Sequence, residues 1–309
     1  MTVTKAQEVS SMKNQYFGIE IELTGITRYQ AATTIAAYFG TSLGRQSASY
    51  GTYRVTDRQG RTWQVVKDGS ITAQKKVNGA RTSAGDEYKV EVVSPKSRYE
   101  DIEDIQELIR RLREAGAFTN SSCGIHIHVD AANHTAKTLR NLVNLMASKE
   151  DMLYKALEVD EARMRRFCQK VNGSLIEDIN RTKPATMEAL RTLWYKPYSG
   201  ETNYHYHASR YHGLNFHSVF TKGTVEFRLF NSTTHAGKIK AYIQLCLAIS
   251  HQAIAQKSAS ARKTATTNEK FTFRTWLLRL DLIGDEFQTA RQHLLAKLEG
   301  NSAWRYAAS

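Results

Sequence analysis

Two carboxylates, Glu20 and Glu22, alternate with apolar residues in the short run FGIEIEL at residues 17–23. Because successive side chains of an extended strand point to opposite faces, the two acids share one face and the apolar residues share the other. At about 3.3 Å of rise per residue, the two acidic positions lie roughly 7 Å apart. Like charges this close repel each other unless water, a basic group or a cation lies between them. The pattern therefore predicts a wet or cation-binding face.

Three further strand-like runs carry chemically active side chains in the same alternation. The runs are VEVV, GIHIHVD and TVEFRLF, and the side chains are Glu91, His126, His128, Glu226 and Arg228. Carboxylate oxygens with one or two imidazole nitrogens suit Mg²⁺ or Mn²⁺ better than zinc or a softer metal. Such ions, together with a fixed guanidinium, neutralise phosphoryl groups during transfer. One of these residues alone would indicate only a solvated strand face, so the prediction depends on the whole set.

The chain is rich in basic residues. Of its 309 residues, 43 are Lys or Arg and 30 are Asp or Glu, which gives a formal charge of +13. An excess of this size favours acidic partners such as phosphates, nucleotides, nucleic acid or acidic peptides. No glycine-rich loop of the Walker type occurs in the sequence, so a P-loop nucleotidase is not expected.

The cysteines and the hydropathy pattern indicate a soluble protein of the cytoplasm. Cys123, Cys168 and Cys246 lie far apart without metal-type pairing, which fits free thiols in a reducing compartment. The N-terminal residues are polar, and no run approaches the ~18 apolar residues of a membrane span. We therefore expect no membrane partner.

Strands and amphipathic helices alternate along the chain. A helix is expected to end at Gly40, and the runs that include VVKDGSI and VEVVSP are typical of an antiparallel meander. Residues 99–116 form an amphipathic helix pattern, residues 135–159 a second long helix, and residues 210–230 a β-hairpin. The remaining C-terminal residues are helical, with a polar break at KSASARKTATTNEK, residues 257–270. The predicted class is α+β: a mainly antiparallel sheet with helices on its apolar face and a cleft on its polar face.

Six motifs carry a resemblance to a known family. FGIEIELTG, WQVVKDGSI, VEVVSP, SCGIHIHVD, RYHGLNF and VEFRLFNSTT resemble, in order and spacing, the putative amidoligase family of carboxylate-amine ligases. The resemblance covers roughly residues 16–250. It implies the curved antiparallel sheet of glutamine synthetase and glutamate-cysteine ligase, with ATP and several Mg²⁺ or Mn²⁺ ions. The implied activity joins a carboxylate to an amine through an acyl phosphate, with an acidic amino acid or peptide as substrate.

The resemblance also implies roles for individual residues. The implied metal ligands are Glu20, Glu22, Glu91, His126 and Glu226. The implied ATP and phosphate contacts are His128, Arg210, Asn215 and Arg228, of which Arg210 and Arg228 are the catalytic candidates. Asp68 is a candidate substrate contact, although an aspartate before a turn glycine is commonly structural.

The same resemblance suggests a domain division. We expect a polar mobile leader at residues 1–14, a catalytic domain at residues 15–255, and a C-terminal helical extension at residues 256–309 packed on that domain. No family motif matches the leader, the polar break or the last helices. Related folds often assemble into dimers or rings, so an oligomer is possible by analogy.

Two other functions compete with the ligase. A metal-dependent hydrolase would use the same histidines and acids with a bound water as nucleophile, and a bound zinc would favour it. A basic nucleic-acid-binding protein would use RMRRFCQK at residues 163–170 and the aromatic run at residues 204–212. The ordered motifs favour the ligase, in which the positive charge serves an acidic substrate and nucleic acid is an unlikely partner.

Overall fold

The computed structural model describes residues 12–44 and 51–304 and shows a mixed α and β protein with a mainly antiparallel sheet. This confirms the predicted α+β class. The chain divides into two compact units. Of the described residues, the first unit contains 16–44, 51–127 and 230–240, and the second contains 12–15, 128–229 and 241–304.

The first unit holds most of the strands. They are β1 (Phe17–Leu23), β2 (Tyr53–Thr56), β3 (Thr62–Val66), β4 (Gln74–Val77), β5 (Ala80–Ser83), β6 (Val90–Val93) and the start of β7 (Gly124–Asp130). Their order is β2-β3-β6-β1-β7, and β4 and β5 form a separate hairpin. The predicted meander is confirmed, because β2 pairs antiparallel with β3 and β3 with β6. The hairpin of β4 and β5 was not predicted.

Two helices of the first unit lie within the segments that the sequence predicts. Helix α1 (Arg28–Phe39) starts with a capping box, in which Thr27 and Gln30 satisfy each other's backbone N–H groups. It ends at Gly40, whose φ of 69° is left-handed and therefore suits glycine. Helix α2 (Ile102–Glu114) has the amphipathic character predicted for residues 99–116, and its buried stripe consists of Ile102, Ile105, Leu108, Ile109 and Leu112.

The second unit is mainly helical around a short piece of sheet. Its strands are the end of β7, then β8 (Leu214–Asn215) and most of β9 (Thr224–Asn231), in the order β7-β9-β8. Its helices are α3 (Ala136–Ala156), α4 (Glu161–Arg166), α5 (Gly173–Thr182), α6 (Met187–Tyr195), α7 (His217–Lys222), most of α8 (Ala236–Ala255), α9 (Glu269–Arg279) and α10 (Gln288–Leu295).

The hairpin predicted at residues 210–230 forms, but its first arm differs from the prediction. Strands β8 and β9 pair antiparallel, yet β8 is only two residues long. From His217 onward, the run NFHSVF forms instead the short helix α7, which is capped by Gly223 with a φ of 70°. A helix therefore connects the two strands: β8 ends at Asn215, and α7 begins at His217. Helices α5 and α6 were not predicted.

Some predictions from the sequence stay predictions. Residues 1–11 of the expected leader lie outside the described residues, and the domain boundaries at residues 15 and 255 are untested. The three cysteines are free thiols and are buried. Among the described residues, no helix has both the length and the apolar character needed to cross a membrane.

Candidate active site

An acid-rich cluster, called here the acid cluster, lies in the first unit. It consists of Glu20 and Glu22 on β1, Glu91 on β6, His126 on β7, and Asp68 in the loop after β3. Neighbouring strands in the order β6-β1-β7 place the first four side chains, because each residue occupies the polar face of its strand. Four separate segments of the chain thus contribute to the cluster.

The acid cluster has the geometry of two adjoining cation sites. Glu20, Glu91 and His126 each offer one ligand atom, and these atoms lie within 4.8 Å of one another. Glu22, Asp68 and Glu91 form a second such group with the same spacing limit. Glu91 belongs to both groups. A carboxylate shared by two sites is the arrangement that bridges paired divalent ions.

Hydrogen bonds orient two members of the acid cluster. His126 Nδ1 lies 3.0 Å from Glu20 Oε2, and His126 Nε2 lies 3.9 Å from Glu22 Oε1. The backbone N–H of Gly124 donates to Glu22 Oε2 at 2.6 Å. When His126 Nδ1 carries the proton and donates to Glu20, His126 Nε2 has the lone pair that can bind a cation. The backbone contact holds the Glu22 carboxylate in place.

The donor set of the acid cluster fits Mg²⁺ or Mn²⁺. Four carboxylates and one imidazole supply mainly oxygen ligands, which these hard ions prefer. Glu22 and Glu91 are direct cross-strand partners, and like charges directly opposite each other destabilise an antiparallel pair. A cation between the strands would remove this repulsion, in keeping with the cation-binding face predicted from the FGIEIEL run.

Asp68 lies in this cluster as well as in a turn. Its Oδ1 accepts from the backbone N–H and the hydroxyl of Ser70, both at 2.6 Å, as expected for an aspartate in such a turn. The same carboxylate group belongs to the set with Glu22 and Glu91. The structure thus gives Asp68 a place among candidate cation ligands, while the predicted substrate contact stays a prediction.

A second cluster, called here the guanidinium cluster, lies in the second unit around Glu226. Asn215 and Glu226 are cross-strand partners, and Asn215 Nδ2 donates to Glu226 Oε2 at 2.7 Å. Arg228 Nη1 donates to Glu226 Oε1 in a close ion pair. Glu226 and Arg228 are only 3% and 5% exposed, so this pair is shielded from water. Its charge is balanced within the protein.

His128 is held beside Glu226. Its Nδ1 lies 3.0 Å from Thr224 Oγ1, whose hydroxyl is 2.8 Å from Ser218 Oγ. Its Nε2 lies 3.8 Å from Glu226 Oε1, beyond hydrogen-bonding distance. The imidazole is therefore fixed on one side and directed toward the carboxylate on the other.

A small cavity of about 170 Å³ adjoins the guanidinium cluster, and its lining is polar and partly basic. Arg210, Asn215, His217, Lys222 and Glu226 contribute to that lining. The Arg210 guanidinium donates to the His205 carbonyl at 2.9 Å, so its position is defined. Two cationic side chains at one cavity favour an anionic ligand.

His217 is a cavity residue that the sequence reasoning missed. The Tyr195 hydroxyl lies 2.7 Å from His217 Nδ1, and the imidazole ring stacks on His207. Burial, together with the nearby positive charges of His207 and Arg210, lowers the pKa of His217 to about 4. The ring is neutral at pH 7. No spacing in the sequence marks this histidine, because its partners lie on other elements.

Arg163 is a second residue without a clear signal in the sequence. It belongs to the basic run RMRRFCQK, which would suit a nucleic-acid surface, but its side chain is only 3% exposed. Among the described residues, no hydrogen-bond acceptor meets its Nε or Nη2. Arg165 and Arg166 of the same helix are exposed. The run therefore does not form one continuous basic surface.

The ten candidate residues fall into two sets. Those in the first unit are Glu20, Glu22, Asp68, Glu91 and His126, and those in the second unit are His128, Arg210, Asn215, Glu226 and Arg228. Within its own unit, each set is assembled from separate strands and loops. The functional roles assigned from the sequence stay predictions.

Comparison with known proteins identifies the family. The family described as "Putative amidoligase enzyme" matches residues 13–250, and the chain belongs to it. This confirms the resemblance seen in the six motifs. No curated protein sequence matches the chain.

One solved structure shows a distant likeness. The bifunctional glutathione synthetase from Pasteurella multocida matches with 13% identity and a TM-score of 0.41. The match covers 95% of this chain and 48% of that protein, so this chain spans about half the length of its neighbour. The assignment to the amidoligase family depends on the family match and not on this likeness.

Proposed function

We propose that the protein is an ATP-dependent carbon-nitrogen ligase that activates a carboxylate as an acyl phosphate and then joins it to an amine. The observation that carries the proposal is the acid cluster, found in a chain that belongs to the amidoligase family. A carboxylate is a poor electrophile because its oxygen is a poor leaving group. Phosphorylation of that oxygen by ATP makes it leave as phosphate when the amine attacks.

The acid cluster would hold the metal ions of this reaction. Glu20, Glu91 and His126 suit one ion, and Glu22, Asp68 and Glu91 suit another. Bound Mg²⁺ or Mn²⁺ supplies positive charge that offsets the negative charge of the phosphate oxygens. Gly124, through its backbone N–H, keeps the Glu22 carboxylate oriented. The residues therefore fit the group that the reaction needs.

The guanidinium cluster would act on the transferring phosphoryl group. Arg228 presents a planar guanidinium whose geometry matches two phosphate oxygens, and Glu226 holds it in position. Asn215 fixes the other oxygen of Glu226. Low exposure of Glu226 and Arg228 keeps water from weakening these contacts. In this proposal Arg210 and Arg228 stabilise negative charge, and His128 contacts phosphate.

The charge pattern supports an acidic substrate. Arg210 and Lys222 line the cavity beside Glu226, and the whole chain carries a formal charge of +13. An acidic amino acid or an acidic peptide would be attracted to such a lining. The substrate class proposed here is therefore a carboxylate donor with extra negative charge.

The proposal also covers the fold, the domain division and the cellular location of the protein. We extend it to a glutamine synthetase-like curved sheet, to the domain division at residues 15 and 255, and to a cytoplasmic location. Free, buried thiols at Cys123, Cys168 and Cys246 support a reducing compartment. An oligomer is compatible with all of these points.

Trapping of the intermediate tests the proposed function. Hydroxylamine, a small and strong nucleophile, replaces the unknown amine and converts an acyl phosphate to a stable hydroxamate. The protein is incubated with ATP, Mg²⁺, hydroxylamine and one carboxylate at a time, beginning with glutamate, aspartate and γ-glutamyl peptides. Hydroxamate, ADP and phosphate are measured together. The expected result is equal amounts of all three, dependent on ATP and metal.

Other outcomes separate the competing functions. Hydroxamate formed without ATP would indicate a hydrolase, and AMP with pyrophosphate would indicate adenylation rather than phosphorylation. Binding of nucleic acid with steep salt dependence and no nucleotide turnover would indicate the nucleic-acid alternative. Glu91→Gln is the test variant, and Glu87→Gln, an exposed acid of the same unit, is its control.

A further inference from the structure

A second cleft lies in the second unit, in residues that the proposed ligase mechanism does not use. Its volume is about 710 Å³, within the range of roughly 300–1,000 Å³ that is usual for small-molecule sites. Residues 264–279 supply most of its lining, and Lys149 of helix α3 completes it. Residues 264–279 lie beyond residue 250, where the family match ends. This cleft is therefore formed mainly by a part of the chain outside the matched region.

The polar run at residues 257–270 is fixed against helix α3, so the cleft has a defined wall. The backbone N–H of Thr264 donates to the Ser148 carbonyl at 3.3 Å, and Asn144 Nδ2 donates to the Ala259 carbonyl at 3.0 Å. Lys263 forms an ion pair with Asp151 at 2.7 Å. A run with low hydrophobicity is thereby ordered by specific contacts along its length.

Two cations line this cleft. Lys149 donates from Nζ to Thr264 Oγ1 at 2.5 Å, and the Arg279 side chain lies on helix α9. Among the described residues, no carboxylate lies within ion-pair distance of either side chain. Burial lowers the pKa of Lys149, and the positive charge of Arg279 lowers it further. The local field in the cleft is therefore positive, and an anion would relieve it.

The remaining lining provides hydroxyl groups and aromatic rings. Thr266 and Thr272 place their hydroxyl oxygens 2.8 Å apart, and both line the cleft. Phe271 and Trp276 add apolar surface. Hydroxyl groups can donate to an oxyanion, and aromatic rings can contact an apolar or flat part of the same ligand. A site with both features is of the kind that binds small charged metabolites.

We propose that this cleft binds a small-molecule oxyanion, in which a phosphate or carboxylate group contacts Lys149 and Arg279 and an adjoining portion contacts Phe271 and Trp276. The Thr272 hydroxyl, which can donate when it accepts from Thr266, completes the contacts to the anion. The site is distinct from the acid cluster and the guanidinium cluster in its residues. The proposed anion binding does not depend on ligase activity.

Direct binding to the full chain tests this site. Isothermal titration calorimetry is carried out with inorganic pyrophosphate and, separately, with the dipeptide Glu-Glu, and Trp276 offers a parallel fluorescence signal. The test variant is Lys149→Met/Arg279→Gln. The control is Arg262→Gln, which removes one positive charge from an exposed residue of the same run without changing the lining. Arg279→Gln alone is the fallback if the double variant does not fold, because Arg279 is exposed.

The expected result is binding of at least one probe to the wild-type chain, weakened about tenfold or more by the double variant and less than about twofold by Arg262→Gln. Stronger binding of pyrophosphate identifies the phosphate as the ligand group, and stronger binding of the dipeptide identifies the carboxylate. Failure of both probes to bind the wild-type chain at about 10 mM would overturn the proposal. Equal weakening by Arg262→Gln would also overturn it, because the effect would then be general electrostatic attraction.

Discussion

The acid cluster and the guanidinium cluster differ in the group that balances their negative charge. In the first unit, four carboxylates and one imidazole lie together, and Glu22 faces Glu91 directly across two strands. In the second unit, the single carboxylate of Glu226 is bound by the Arg228 guanidinium and the Asn215 amide. The first arrangement needs positive charge from a cation, whereas the second already contains it.

This difference predicts that the same chemical change has opposite effects on stability at the two places. Replacing glutamate with glutamine removes one negative charge and keeps the shape of the side chain. In the acid cluster that change relieves repulsion. In the guanidinium cluster it leaves a buried arginine without its counter-charge, which is costly.

The largest effect is expected on activity, from Glu22→Gln and Glu91→Gln. Each change removes a proposed metal ligand, so ATP turnover should fall about a hundredfold or more. Without metal, the free energy of unfolding should stay constant or rise by up to about 1 kcal/mol, because like charges no longer face each other across the strands. ADP release and urea denaturation in EDTA are the measurements. Full turnover in either variant would make that acid structural, and Glu87→Gln serves as the control.

The second effect concerns stability in the guanidinium cluster. Glu226→Gln should lower the free energy of unfolding by about 2–4 kcal/mol in metal-free buffer, because the buried Arg228 loses its charged partner. Urea denaturation measures this loss. Adding Arg228→Met to the same chain should restore part of it, since the unpaired charge is then gone. A Glu226→Gln variant as stable as Glu22→Gln would remove the distinction between the two clusters.

Arg228→Lys tests whether the reaction needs the planar guanidinium or only a positive charge at this position. A lysine ammonium keeps the positive charge but cannot bind two phosphate oxygens in one plane. We expect kcat to fall by about tenfold or more while KM for ATP changes less than about threefold, because the contact is strongest during phosphoryl transfer. Steady-state kinetics measure both constants, with Arg166→Lys on an exposed site as the control. Equal losses in binding and turnover would make Arg228 an ordinary binding residue.

A pH dependence of stability is expected from Glu150, which is a third kind of carboxylate environment. Burial raises the pKa of Glu150 to about 7, although the Val171 N–H donates to its Oε1 at 2.7 Å. Since the folded-state pKa lies above the usual value near 4.5, this residue contributes most to stability at low pH and loses that contribution as pH rises toward 7 and above.

Glu150→Gln tests that sign, because glutamine resembles the protonated acid and keeps the acceptor for Val171. The variant should be more stable than the wild type at pH 8 by on the order of 2 kcal/mol, and the difference should shrink toward pH 5. Thermal melts between pH 5 and pH 8 measure it. A constant difference across that range would contradict the proposed burial effect.

The sequence by itself determined which residues share a strand face and which family the chain belongs to. Alternation with a period of two residues is a local property, so Glu20 and Glu22 were assigned to one face from the FGIEIEL run alone. The ends of helix α1 and the apolar stripe of helix α2 are also local, because capping residues and the helical period lie within a few positions of each other. The order of six motifs then indicated the family.

Only the tertiary structure decided which of these faces meet and which side chains complete them. The pairing of Glu22 with Glu91 depends on the register of β1 against β6, and that register is set by long-range packing. Asp68 joins them from a loop whose path no local pattern specifies. The burial of Arg163 and the neutral state of His217 likewise arise from other elements packed around them. Contacts between residues distant in sequence depend on how whole elements pack, which a local period does not encode.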